Sequence, residues 1–273
     1  MAAARKTVLE KVKLEGLLRA YASMSDKVDF EVDELTSLDP ERFLKDYYAT
    51  NRAFVLRGGA KHWNAVERWT FDLFRERFGS ESVDYMYGEQ RYADLAGSTR
   101  TTDLASLLDL MRQAPLSNAY YIASVNQGLT RMVLETLSDW GEFEFLPGID
   151  MTNVAKVRLW LGPKGTITPL HCDAINVLFV QITGSKKFVL APSHEVVHIY
   201  NERSLFSSVD PACVDAAAFP DAVDIRWRAV EVEAGDILFI PLGWWHWVYA
   251  NSESISVSIG EFEIMGSLDR WSA

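Results

Sequence analysis

Hydrophobic residues recur at helical spacing through the first half of the chain and in strand-like runs through the second. Leu14, Leu17, Leu18 and Tyr21 share one face of an amphipathic stretch near the N-terminus, interrupted by Gly16. Ser37 or Asp39 can cap a helix that has Pro40 in its first turn and Phe43, Leu44 and Tyr47 at helical spacing. Residues 53–57 then read as a strand, and residues 69–78 repeat the helical pattern with Thr70 as cap and Gly79 as stop. The clearest period belongs to Leu104, Leu107, Leu108 and Met111, at i, i+3, i+4 and i+7, with Pro115 just beyond. These four are expected in the core.

From residue 119 onward the texture changes to β-branched and aromatic runs broken by Gly, Pro and Asn. Strands are expected over 119–125, 154–161, 175–182, 186–190, 237–240 and 254–262. No repeat, low-complexity tract or linker divides the chain, so helices wrapped around one C-terminal barrel are the expected arrangement. The organisation predicted is a helical extension over 1–38, a main domain over 39–262 and a short tail over 263–273. Residues 193–230 have weak periodicity, and long segments of that kind in compact domains commonly serve as lids or substrate-binding loops.

Composition narrows the function classes. Hydrophobic residues make up 48% of the 273 positions, enough to bury a sizeable core. The net charge of -11 works against a surface that must neutralise phosphates, so nucleic acid is not an expected partner. Only Cys172 and Cys213 are present, which fits neither a disulfide framework nor a four-cysteine metal site. No stretch reads as a signal peptide or a bilayer-spanning helix, and a cytoplasmic location without membrane association is expected.

Two phrases carry chemistry. In Thr168-Pro169-Leu170-His171-Cys172-Asp173 the backbone reads as extended, where residues i and i+2 project from the same face. His171 and Asp173 can then chelate one ion while Cys172 points the other way. The second phrase runs from Gly235 to Trp247 and delivers His246 among Trp244, Trp245 and Trp247 at the end of an apolar strand. Two histidines and one carboxylate form a ligand set suited to non-haem Fe(II), with coordination positions left for a cosubstrate and dioxygen. A rival pattern exists: His194-Glu195-Val196-Val197-His198 matches the H-E-x-x-H zinc signature. A zinc peptidase needs a third ligand downstream, and the only later histidine is His246, so His194 and His198 read as surface or hydrogen-bonding residues, as does His62.

On these motifs the sequence resembles the JmjC and cupin-like hydroxylases, with a layout similar to the asparaginyl hydroxylase of hypoxia-inducible factor. The likeness covers roughly residues 39–262. It rests on the entry segment 47–58, on Trp69-Thr70-Phe71-Asp72, on the His-x-Asp strand followed by Gln181-Ile182-Thr183-Gly184-Ser185-Lys186, and on the Trp-Trp-His form of the distal histidine. The resemblance implies a mainly β fold, a double-stranded β-helix (the cupin jelly roll) with N-terminal and surrounding α-helices. It implies His171, Asp173 and His246 as ligands of Fe(II), with 2-oxoglutarate and dioxygen as cosubstrates. Lys186 stands where the family places a lysine for the distal carboxylate of 2-oxoglutarate, and a carboxylate taken into a barrel needs a paired charge. Thr168 and Tyr121 match residues with the same task, although Tyr120 is an alternative to Tyr121 as the inward ring.

Two positions depart from the family pattern. The family asparagine six residues after the first ligand is replaced by Val177; the neighbouring Asn176 faces away by strand parity unless a bulge re-aims it. On the last strand the inward polar position falls at Ser258 or Gly260 rather than at an asparagine. The implied activity is hydroxylation of an amino-acid side chain in a protein or peptide. A free amino acid or small natural product is the alternative substrate, and a metal-binding cupin without turnover the alternative class.

Overall fold

The computed structural model describes residues 31–89, 95–123, 129–201, 205–260 and 262. The amphipathic stretch expected around residues 14–21 and the tail over 263–273 lie outside them. Among the described residues the strands are β1 (Asp33–Leu35), β2 (Phe54–Leu56), β3 (Ser82–Tyr87), β4 (Thr99–Asp103), β5 (Tyr120–Tyr121), β6 (Val157–Gly162) and β7 (Ile167–Cys172). They continue with β8 (Val177–Thr183), β9 (Lys186–Ala191), β10 (Arg228–Val232), β11 (Ile237–Ile240), β12 (Trp245–Ala250) and β13 (Ser254–Gly260).

Strands β6 to β13 build a mainly β barrel from two facing sheets. The larger sheet has the order β1-β2-β11-β8-β13-β6 and the smaller the order β10-β9-β12-β7. From β6 to β13 the chain crosses from one sheet to the other at nearly every strand, and only β9 and β10 of these follow each other within one sheet. This is the double-stranded β-helix of the cupins, and its two inner faces enclose the space in which a site can form.

Covering layers explain the apolar texture of the central strands. Leu178, Val180 and Ile182 of β8 pack outward with the helical layer, while Val177 and Phe179 face the barrel interior. A strand covered on both faces has no polar face to alternate with. The expected core helix is present as Leu104–Gln113, with Leu104, Leu107, Leu108 and Met111 buried and Asp103 accepting the Ser106 N–H at 2.9 Å. Thr70 caps Phe71–Phe78 by accepting from Leu73 N–H at 3.1 Å.

Two expectations are modified and one element is additional. The helix after Asp39 is α-helical only over Pro40–Arg42 and continues as a π-helix over Phe43–Tyr48, in which Ala49 N–H bonds to Leu44 C=O. This winding buries Phe43 and Tyr47, and the Tyr47 hydroxyl donates to Asp33 at 2.9 Å. Of the strand expected over 119–125, Tyr120–Tyr121 is present and hands over to an isolated bridge between Ile122 and Leu161, while residues 124 and 125 lie outside the described residues. The hairpin of β3 and β4 was not foreseen, because its polar and aromatic positions form no apolar run.

The 193–230 segment is largely a cover rather than a lid. Ile199, Val209, Ala222 and Ile225 pack on Leu170, Cys172, Val189, Trp245 and Trp247, sealing the outer face of the smaller sheet. Its end already belongs to β10, which pairs antiparallel with β9.

Candidate metal centre

His171 on β7 and His246 on β12 are direct partners in the antiparallel pairing of the two strands. Their ring centroids lie 4.0 Å apart. Asp173 follows the end of β7, and its Oδ2 stands 3.7 Å from His246 Nε2. One donor atom from each of the three lies within 4.8 Å of the others, and no other group of this kind occurs among the described residues. His194 and His198 instead flank Glu195, with His198 Nδ1 2.9 Å from its carboxylate.

Both imidazoles have a fixed tautomer. His171 Nδ1 lies 2.8 Å from Pro169 C=O and His246 Nδ1 lies 3.1 Å from Trp244 C=O. A carbonyl can only accept, so each Nδ1 carries the proton and each Nε2 keeps a lone pair. Burial, and secondarily the neighbouring His246, hold the His171 pKa well below the usual imidazole range. Phe206, from the covering segment, stacks on the His171 ring at 5.3 Å with planes 17° apart. Two neutral imidazoles and a carboxylate fit a first-row divalent cation and leave part of its coordination sphere open.

A bulge in β7 makes the site possible. His246 pairs with His171 and Val248 with Thr168, so two residues of β12 span three of β7. Thr168 and His171 are three apart, which in a regular strand puts them on opposite faces. The extra residue is absorbed around Pro169, which has no N–H to lose from the ladder. Thr168 and His171 therefore both line the cavity, while Leu170 and Cys172 face the outer cluster.

The donors open into a cavity of about 310 Å³ between the sheets. Lys186 lies in its buried part, carried there by the turn at Gly184, whose φ of 75° and close approach to Glu253 C=O leave no room for a side chain. The lysine is 2% exposed. Its Nζ donates to Tyr121 Oη at 3.4 Å and sits over the Tyr121 and Phe179 rings, 5.6 and 5.3 Å from their centroids. Among the described residues it forms no ion pair, and burial pushes its pKa down to about 7. A buried cation with aromatic rather than acidic company is suited to receive an anion.

Tyr121, not Tyr120, is the inward ring; Tyr120 packs with Tyr85 and Tyr87 on the other side. Ser258 lines the cavity and accepts from Trp160 Nε1 at 3.0 Å. Asn176 does not line it: strand parity prevails, and its Oδ1 accepts the Leu242 N–H at 2.8 Å. Met86 of β3 also reaches the cavity. Sequence reasoning missed Phe206, for which no motif exists, and the inner face of β6. There Arg158 and Trp160, with Lys156 just before the strand, follow a two-residue period that was open to reading.

Comparison with known proteins supplies the lineage. The chain is 28% identical over 237 residues to the lysine-specific demethylase JMJ30 of Arabidopsis thaliana, covering 83% of this chain and 54% of that protein. It is 24% identical over 237 residues to Jumonji C domain-containing protein 5 of Drosophila melanogaster, covering 84% and 59%. The chain thus spans little more than half the length of these two relatives. With the human bifunctional peptidase and (3S)-lysyl hydroxylase JMJD7 it shares 23% identity over 257 residues, 80% of each protein. Residues 40–259 match the family model of the cupin-like domain, and a match of that extent makes this chain a member of the cupin-like, JmjC-type family.

Proposed function

We propose that this chain is an Fe(II)- and 2-oxoglutarate-dependent oxygenase that hydroxylates an amino-acid side chain of a protein or peptide. The observation that carries the reading is one cavity holding both a three-donor cluster and a buried lysine with no acidic partner among the described residues. In this reading His171, Asp173 and His246 hold the metal, and Lys186 pairs with the distal carboxylate of 2-oxoglutarate. Tyr121 and Thr168 donate hydroxyl hydrogen bonds beside it.

With metal and cosubstrate bound, such a site supplies oxidative decarboxylation of 2-oxoglutarate to succinate coupled to oxygen insertion into a substrate C–H bond. The protein's part is positioning. The Pro169 and Trp244 carbonyls keep both Nε2 lone pairs aimed inward. Phe206, Phe179, Phe188 and Val248 line the cavity with apolar surface, which limits water around the reacting groups. Two of these relatives, the Arabidopsis demethylase and the human lysyl hydroxylase, are named for action on lysine, which supports a protein substrate. The cavity's size favours a second reading, because about 310 Å³ is at the lower end of small-ligand sites; a free amino acid or small natural product fits there.

The test is anaerobic titration of the protein with Fe(II) and then 2-oxoglutarate, followed optically, with succinate measured after oxygen is admitted. Binding of 2-oxoglutarate that requires the metal, and succinate formation that is lost in Asp173→Ala, are expected. Failure of the metal-loaded protein to bind 2-oxoglutarate would end the reading.

A further inference from the structure

The cavity is charged against the trend of the chain. The protein carries a net charge of -11. The charged residues lining the cavity, besides the two histidines, are Lys156, Arg158, Lys186 and a single carboxylate, Asp173. If the proposed function holds, a divalent metal and the dianionic cosubstrate offset each other, and Asp173 offsets Lys186. Arg158 remains. An uncompensated positive field in a low-dielectric cleft attracts anions and repels cations.

Exposure separates the ends of the cavity. Lys186, Thr168, Tyr121 and Ser258 are buried, whereas Arg158, Lys156, Asp173, Ile175 and Phe206 are partly open to solvent. Arg158 therefore stands at the entrance. It lies on β6 opposite Ser258 of β13, two residues from Trp160 on the same face. Its Nη1 donates to the Ala155 and Val157 carbonyls, which fixes the direction of the side chain. It forms no ion pair among the described residues. Lys156, by contrast, is engaged: after the Thr152 hydrogen bonds, its charge helps to hold the Asp150 carboxyl below the usual range.

We propose that Arg158 is a specificity-determining residue that recognises a carboxylate on the substrate, so that the side chain admitted belongs to an acidic rather than a basic substrate. This rests on the oxygenase reading and narrows it. A planar guanidinium matches a carboxylate in a two-point contact that an amide or ammonium cannot reproduce. It also predicts that the lysine chemistry in the relatives' names does not carry over to this chain.

The test uses the Mn(II)- and 2-oxoglutarate-loaded protein, with calorimetric binding of acetylated, amidated tripeptides Gly-Asp-Gly, Gly-Asn-Gly and Gly-Lys-Gly as probes. The aspartyl probe is expected to bind about tenfold tighter than the asparaginyl one, as for a charge-assisted hydrogen bond, and the lysyl probe weakest. Arg158→Gln should remove the preference, and Arg158→Lys should keep part of it. Equal binding of the aspartyl and lysyl probes, or a preference untouched by Arg158→Gln, would overturn the proposal. Binding of 2-oxoglutarate is measured first in the parent protein. Its failure sinks the oxygenase reading and this inference together, whereas normal cosubstrate binding without an acid preference sinks only the inference.

Discussion

His171 and His246 face each other across paired strands, and each donates its Nδ1 proton to the backbone carbonyl two residues earlier in its own strand region. The symmetry means that neither ring depends on a distant side chain for its tautomer. The bulge that frees Pro169 C=O for His171 also turns Thr168 inward, so one irregularity in β7 sets up both a metal donor and a cavity hydroxyl.

Removing a donor should abolish metal binding with little effect on the barrel. His246→Ala and Asp173→Ala are expected to weaken Mn(II) binding by about 100-fold or more, since changes beyond the first ligands already cost about 10- to 100-fold. Calorimetry with Mn(II), alongside circular dichroism, checks this. Retained affinity in Asp173→Ala would remove that residue from the donor set.

Phe206 should act through His171. Its ring stacks on the imidazole, so Phe206→Ala is expected to loosen the metal by about tenfold, the lower part of the range for groups that support a ligand. Phe206→Tyr keeps the stack and should bind metal within about threefold of the parent. Equal losses in both variants would mean that hydroxyl placement or cavity polarity matters, not stacking.

Much of this site was legible because its chemistry is local in sequence. His171 and Asp173 are two residues apart on an extended backbone, so their spacing brings the pair into view, whereas Lys186, after the turn at Gly184, was marked by the family resemblance. The pairing of β7 with β12 was not legible, since it joins positions far apart in sequence and local pattern carries no register between them. The bulge at Pro169 and the stacking of Phe206 were hidden for the same reason. The covering role of 193–230 was obscured because its buried residues, Ile199, Val209, Ala222 and Ile225, follow neither helical nor strand period.

Acid should destabilise the metal-free protein through His171. Its pKa in the fold is lowered by burial, first, and by His246, so below the ordinary imidazole value near 6.5 the unfolded chain takes up the proton before the folded one. Stability from this group is present above that value and is lost as pH falls through the window beneath it. Thermal melts of metal-free parent and His171→Gln between pH 7 and pH 4.5 should converge at the acidic end. Parallel melting curves across that range would mean that His171 is not held neutral by the fold.

Lys186 should oppose stability and cosubstrate binding to each other. Its pKa is about 7 in the fold against 10.5 for an ordinary lysine, with burial as the cause. Between those values the unfolded chain holds the proton and the folded chain does not, so stability of the metal-free protein rises with pH through that window. Below pH 7 both forms are charged and the fold bears the full penalty of a buried ammonium, on the order of 3 to 5 kcal/mol by the linkage of pKa to free energy. Lys186→Met keeps the apolar stem and removes the charge, so it should stabilise the metal-free protein at pH 6, with a gain that shrinks as pH rises toward 10. The same variant should bind 2-oxoglutarate more weakly by roughly 100-fold or more, because the distal carboxylate would be buried without a partner. Denaturant unfolding at a series of pH values measures the first effect and calorimetry of the Mn(II)-loaded protein the second. A variant that gains no stability at pH 6 would show the lysine to be compensated in the metal-free protein, and one that binds 2-oxoglutarate like the parent would assign that carboxylate to another group.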